Sequence, residues 1–180
     1  MRWTAFLRAV NVGGRTVTMD RVKAALTKAG LDDVTTFLAS GNVLFTSGRR
    51  EAALRPLIES SLEDALGFEV PTVLRTGPEI VDLAASPALA AAMNEVPMVA
   101  VGFLREAPSK AATKALTALA TDVDRLVVDG RHLLWLCTVK QSDSKLTLVK
   151  VEKALGGVAT FRGANTVARL AARLAANRDG

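Results

Sequence analysis

Along this chain the spacing of apolar residues switches repeatedly between a period of two and a period near 3.6, and glycine, proline or a capping hydroxyl punctuates the switches. Residues 3–10 alternate as a strand does and stop at Asn11-Val12-Gly13-Gly14, a turn sequence. Met19, Val22, Leu26 and Ala29 then share one helical stripe, with Thr18 placed to cap its start and Gly30 to close it. Two β-prone runs, 34–39 and 43–46, flank Ser40-Gly41-Asn42 and read as a hairpin. Leu54, Leu57, Ile58, Leu62 and Leu66 predict a second helix ended by Gly67, its start only a few residues before Pro56. Residues 70–75 supply a fourth strand, and the order so far is βαββαβ.

A helical stretch broken at Ser86-Pro87 follows, and the same pattern then begins again. Residues 98–104 read as strand, 110–120 as helix, and 125–128 with 133–138 as a hairpin around Asp129-Gly130. Residues 144–155 read as helix, 158–161 as strand, and Val167, Leu170, Ala171 and Leu174 as the stripe of a last helix. The fold class is therefore α+β. It consists of two tandem ferredoxin-like (βαββαβ) units, at residues 1–76 and 97–180, with a helical connection at 77–96 and a C-terminal helix. A single mixed α+β domain built from the same elements is the alternative.

Composition narrows the chemistry. The chain has 180 residues, 49% of them hydrophobic, enough to bury a sizeable core and to exclude disorder as its main state. One cysteine, Cys137, excludes an internal disulfide, and with one histidine, His132, it cannot build a Cys/His zinc site. The expected setting is a reducing, cytoplasmic one, with no membrane span and no signal peptide at Met1-Arg2-Trp3-Thr4. The formal charge of +5 is unevenly placed: residues 1–90 balance, and the excess belongs to residues 91–180.

In an antiparallel βαββαβ unit the loop after the first strand and the hairpin between the second and third lie at the same sheet edge. Arg8, Asn11, Gly13, Gly14 and Arg15 are thereby expected beside Ser40, Gly41 and Asn42. In the second unit the same logic places the loop 138–144, with Lys145 just beyond it, near Arg162 and the residues after it. Backbone N–H groups, a helix start and arginines at such an edge suit an anion. A turn that needs glycine freedom accounts for Gly13-Gly14 without any ligand, and hairpin geometry does so for Ser40-Gly41-Asn42.

At this point the residues resemble a known family. Leu7-Arg8-Ala9-Val10-Asn11-Val12-Gly13-Gly14, Ala39-Ser40-Gly41-Asn42-Val43-Leu44-Phe45, Ser144-Lys145-Leu146 and residues 160–167 are similar to successive blocks of domain-of-unknown-function family 1697 (DUF1697). The resemblance runs over essentially the whole chain and implies a bacterial, two-part ferredoxin-like protein without an established activity. Ala9-Val10 stands here for the commoner Gly-Ile, and Gly163-Ala164 for Asn-Trp, which removes an aromatic from that position.

Other motifs exclude more than they assign. Ser142-Asp143-Ser144-Lys145 fits S-x-x-K, but the chain lacks the K-T-G strand of penicillin-recognising enzymes; Ser142, Asp143 or Ser144 is instead expected to cap the next helix. Asn165 or Thr166 is expected to cap the last one. His132 and Cys137, five residues apart on one strand, face opposite ways about 16 Å apart and form no dyad. Neither G-x-x-x-x-G-K-[ST] nor G-x-G-x-x-G occurs, and no cofactor or metal pattern is found. Base stacking is poorly served, because Phe45 is the only aromatic on the third strand and the chain has no tyrosine. Arg169, Arg173 and Arg178 on the last helix leave room for phosphate-backbone contact.

The leading reading is a binding module for an anionic ligand, either a phosphate-bearing metabolite or a nucleic-acid backbone. Arg8, Asn11, Gly13, Gly14, Arg15, Ser40, Gly41 and Asn42 would hold it, with Lys145 and Arg162 as a second cluster. The alternatives are an enzyme acting on a small anionic substrate and an interaction protein that forms oligomers.

Overall fold

The computed structural model describes residues 1–10, 16–38 and 41–176. Backbone contacts divide the chain into two compact units, Met1–Glu79 and Ile80–Gly180. Among the described residues these hold two four-stranded antiparallel sheets and seven helices, an α+β architecture.

The first unit contains β1 (Arg2–Leu7), α1 (Met19–Lys28), β2 (Asp32–Phe37), β3 (Asn42–Thr46), α2 (Glu51–Leu66) and β4 (Thr72–Thr76), with the strands in the order β2-β3-β1-β4. Trp3 lies opposite Phe45 on one side and Thr76 on the other, so β1 is paired along both edges. Strand alternation then sorts side chains by face. Trp3, Ala5, Leu7, Val43, Phe45 and Leu74 join Val22 and Leu26 of α1 and Leu54, Ile58 and Leu62 of α2 in one core. Phe45 is fully buried there, so it offers no surface for a base. Thr4, Phe6, Leu44 and Arg75, which alternate with these, are also fully buried.

Local chemistry sets the boundaries. The Thr18 hydroxyl accepts from Arg21 N at 3.4 Å and starts α1, and Gly67, at φ 83°, ends α2 by donating its N–H to Glu63 O. Strand β2 begins two residues before the predicted start, at two exposed aspartates. A register shift between Asp32 and Thr35 lets Asp33 take φ 49°, and the Arg2 guanidinium ties the irregular edge to Asp33 O, Thr35 Oγ1 and Thr46 Oγ1.

Helix α3 (Gly77–Ala84) follows β4 through a reciprocal cap in which Glu79 Oε2 accepts from Thr76 N and Thr76 Oγ1 accepts from Glu79 N. In the second unit come α4 (Pro87–Glu95), capped by Ser86, then β5 (Met98–Leu104), α5 (Lys110–Thr117), β6 (Asp124–Asp129) and β7 (His132–Cys137). After a 3-10 turn at Gln141–Asp143, the unit is completed by α6 (Leu148–Leu155), β8 (Ala159–Gly163) and α7 (Ala164–Ala176). The strand order is β6-β7-β5-β8. Helices α5 and α6 build a core with Ala100, Leu133, Trp135 and Cys137, while α7 lies against β5 and β8.

Two helices start elsewhere than their sequence predicts. Helix α6 begins at Leu148 with Thr147 as its cap, not Ser142, Asp143 or Ser144, because Ser144 is engaged elsewhere. Strand β8 runs to Gly163 and passes directly into α7, so Asn165 and Thr166 lie inside the first helical turn.

Gly102, in the middle of β5, sits opposite Phe161, and a Cβ added to it would lie 2.7 Å from Phe161 Cε1 and 3.3 Å from Leu133 Cβ. The Phe161 ring also packs edge-on against Trp135, with centroids 5.7 Å apart. Gly102→Ala is expected to destabilise the protein by about 1–3 kcal/mol in chemical denaturation. Adding Phe161→Leu should return part of that loss, since the matching pair in the first unit is Ala5 opposite Leu74.

Candidate functional site

The exit of β1 in the first unit draws three chain segments together. Leu7 N donates to Gly41 O at 2.8 Å, and the next residue, Arg8, donates its N–H to Pro71 O at 2.9 Å. Gly41, at φ 72°, is buried against this exit: a Cβ there would lie 3.3 Å from Leu7 Cβ and 3.7 Å from Val10 Cγ2. The left-handed backbone and the tight fit both call for glycine. Asn42 is fully buried, and its Nδ2 donates to Phe37 O at 2.9 Å, closing the β2–β3 connection. Arg8 is half-buried at this edge. Asn11, Gly13, Gly14, Arg15 and Ser40 lie outside the described residues.

The second predicted cluster does not assemble. Lys145 is exposed and follows Ser144, which is bonded to Asp124 at the start of β6, whereas Arg162 lies within β8. Those strands are the opposite outer edges of one sheet, with β7 and β5 between them. Arg162 is also not a loop residue. It is buried, its Nη1 donates to Phe161 O at 2.8 Å and Thr160 Oγ1 at 2.9 Å, and burial pulls its pKa down to about 10.

Arg162 has a counterpart that the sequence reading did not single out. Arg75 is the fourth residue of β4, as Arg162 is of β8, and each faces the central strand of its sheet, at Thr4 and Val101 respectively. Arg75 is fully buried and, like Arg162, folds back to donate to the preceding carbonyl, here Leu74 O at 2.7 Å. An arginine at the fourth position of a short β-prone run, at the same place in both units, was the available signal.

A buried carboxylate was also missed. Asp124 is 2% exposed and accepts from Trp135 Nε1 at 2.8 Å, from Thr121 Oγ1 at 2.9 Å and from Ser144 Oγ on both oxygens. Burial alone would raise its pKa, but the hydrogen bonds from Trp135, Ser144 and Thr121 outweigh that and hold it below the usual aspartate value. Ser144 Oγ also accepts from Leu146 N, so the carboxylate anchors the loop that leads into α6. The neighbouring Cys137 thiol is buried, and burial, reinforced by Asp124, pushes its pKa up, which disfavours the nucleophilic thiolate. His132 packs edge-on against Phe103 at 5.6 Å, away from the core that holds Cys137. Among the described residues no group of three or more His, Cys, Asp or Glu side chains could hold a metal ion. No described helix is long and apolar enough to cross a membrane.

Asp124→Ala leaves three donors without their acceptor and should cost about 2–4 kcal/mol in thermal or denaturant unfolding. Because the folded-state pKa is lowered, the contribution of Asp124 is complete above the unfolded value near 4 and is lost as the pH falls through the folded value. Asp124→Asn should therefore be less stable than the parent at neutral pH and flatten the acid limb of the stability profile.

A family model described as "Protein of unknown function (DUF1697)" matches residues 1–134. The blocks at Ser144-Lys145-Leu146 and residues 160–167 lie beyond that match, so the whole-chain extent of the resemblance is not reproduced. No curated protein matches the sequence. Among solved structures, a conserved bacterial protein from Streptococcus pneumoniae is similar, with 23% identity, a TM-score of 0.76, and coverage of 96% of this chain and 97% of that one. This likeness extends the fold, though not a function, across both units. With most of its length matched by the family model, the chain belongs to the DUF1697 family.

Proposed function

We propose that the protein is a non-catalytic binding module for a small phosphate-bearing anion, held at the β1 exit of the first unit. The observation that carries this reading is the convergence described above: Leu7 N on Gly41 O and Arg8 N on Pro71 O gather three segments at one edge, with the half-buried Arg8 among them. The Leu7 and Arg8 amides are themselves taken by carbonyls and serve to fix the edge, so the phosphate would be recognised by the guanidinium of Arg8 and by groups of the adjoining loops. Asn11, Gly13, Gly14, Arg15 and Ser40 would complete the pocket, and Asn42 would keep the connection in shape. Lys145 and Arg162 are not part of it.

The same reading takes each unit as a ferredoxin-like module, supported by the element order and by the strand orders β2-β3-β1-β4 and β6-β7-β5-β8. A binding role is favoured over an enzymatic one because the buried carboxylate Asp124 is occupied by three donors and the Cys137 thiol is held protonated. A cytoplasmic setting accords with a single, buried free thiol.

Thermal-shift titration with nucleotides, sugar phosphates and inorganic polyphosphate tests it. A ligand at a hundred times its Kd should add about 2.7 kcal/mol to stability. Arg15→Ala should abolish the ligand-dependent shift while changing the ligand-free stability by no more than about 0.5 kcal/mol. A flat response to every phosphate compound, or a shift unchanged in Arg15→Ala, refutes the site.

A further inference from the structure

The two units repeat one topology but not one surface charge. In the first unit the paired helices α1 and α2 carry four basic residues and five acidic ones. In the second, the corresponding helices α5 and α6 carry four lysines, Lys110, Lys114, Lys150 and Lys153, and a single acid, Glu152. All four lysines are exposed. Glu152 is half-buried, and its Oε1 is taken by Ala159 N at 3.1 Å. The excess positive charge of the chain's second half is thus concentrated in part on one helical layer.

The geometry of that layer is regular. Helices α5 and α6 lie side by side on the same core, each burying one stripe, Leu116 from α5 and Val151 from α6. Lys110 and Lys114 are one turn apart on α5, and Lys150 and Lys153 are three residues apart on α6, so each pair shares a side of its helix. Adjacent packed helices have axes about 8–10 Å apart, which sets the two exposed lysine pairs on neighbouring helices of one layer. Lys150 Nζ also donates to Lys145 O, bringing the loop before α6 against the same layer.

We propose that the α5–α6 face docks the phosphate backbone of duplex nucleic acid without reading its sequence. Lysines act as point charges toward phosphates, and a duplex offers one negative charge per about 1.7 Å of its axis, a density suited to paired cations. Neither helix carries an aromatic residue, which removes the stacking platform that a single strand would use. Val149, 73% exposed, is the one large exposed hydrophobic on these helices, too little apolar surface for insertion into a lipid interface. The proposal is separate from the anion edge of the first unit and does not depend on it.

Fluorescence anisotropy of a short labelled duplex, titrated with the full chain across a salt series, is the test. Four neutralised phosphates predict a log–log slope of about −3.6, so affinity should fall on the order of a hundredfold between about 50 and 200 mM salt. The variant with Lys110, Lys114, Lys150 and Lys153 all changed to Gln should lose that salt-dependent binding while keeping its thermal midpoint. Lys114→Gln with Lys153→Gln, a lighter change spanning both helices, should lower the slope magnitude by about two. Lys23→Gln with Lys28→Gln on α1 should leave binding unchanged. Absence of binding at low salt, binding retained in the fourfold variant, or capture by phosphatidylserine vesicles through the same lysines with none of the duplex would each overturn the proposal.

Discussion

Each sheet has two strands paired on both sides, and β1, between β3 and β4, and β5, between β7 and β8, are the ones that tie the last strand of each unit to the hairpin. A strand in that position has its backbone donors and acceptors committed in both directions, so its register sets the register of its neighbours. A slip of one residue would exchange Trp3, Ala5 and Leu7 with Thr4 and Phe6, moving the α1–α2 core residues to the wrong face. The position of Gly41 at the β1 exit and of the two buried arginines beside the central strands follows from the same pairing. The candidate anion edge is therefore a product of sheet register as much as of loop sequence.

Polar groups inside the second unit are handled without opposite charges among the hydrogen-bond partners of Asp124. Neutral donors from Trp135, Thr121 and Ser144 serve one carboxylate. Such an arrangement has directional requirements that a lone salt bridge lacks, and it joins the β6 edge, the neighbouring strand β7 and the loop before α6. Arg162 is buried too, yet it turns back on its own strand through Thr160 and Phe161. The carboxylate thus holds separate segments together.

Much of the element order was legible because it rests on local signals: the apolar stripes of α1 and α2, Thr18 and Gly67 at helix ends, and Asp129-Gly130 between β6 and β7. Local signals mislead where distant residues decide. Ser142, Asp143 and Ser144 all have capping side chains, but Ser144 is claimed by Asp124 twenty residues earlier, and the helix starts at Thr147 instead. The start of β2 was hidden by two aspartates that a bulge and the Arg2 guanidinium accommodate. At the candidate site, Arg8, Gly41 and Asn42 follow from loop order and the basic bias, whereas Arg75 stands out only when the last strands of the two units are laid against each other residue by residue. Lys145 and Arg162 do not pair because a shared end of the sheet does not fix which strand a residue stands beside: one follows the residue bound to β6, the other lies in β8, with β7 and β5 between them.

The ring of Phe161 lying over Gly102 also bears on which parts of the two units can be exchanged. The first unit fills the same place with Ala5 and Leu74, a larger residue on the central strand and a smaller one on its neighbour. Either combination fills the space, but the mixed pair of alanine with phenylalanine overfills it. The passage from one arrangement to the other thus favours shrinking the aromatic before enlarging the glycine. A chimera that transplanted β5 alone into the first unit would leave a gap opposite Leu74, and one that transplanted β1 alone into the second would meet the aromatic ring. The interchangeable part of this repeat is a pair of neighbouring strands.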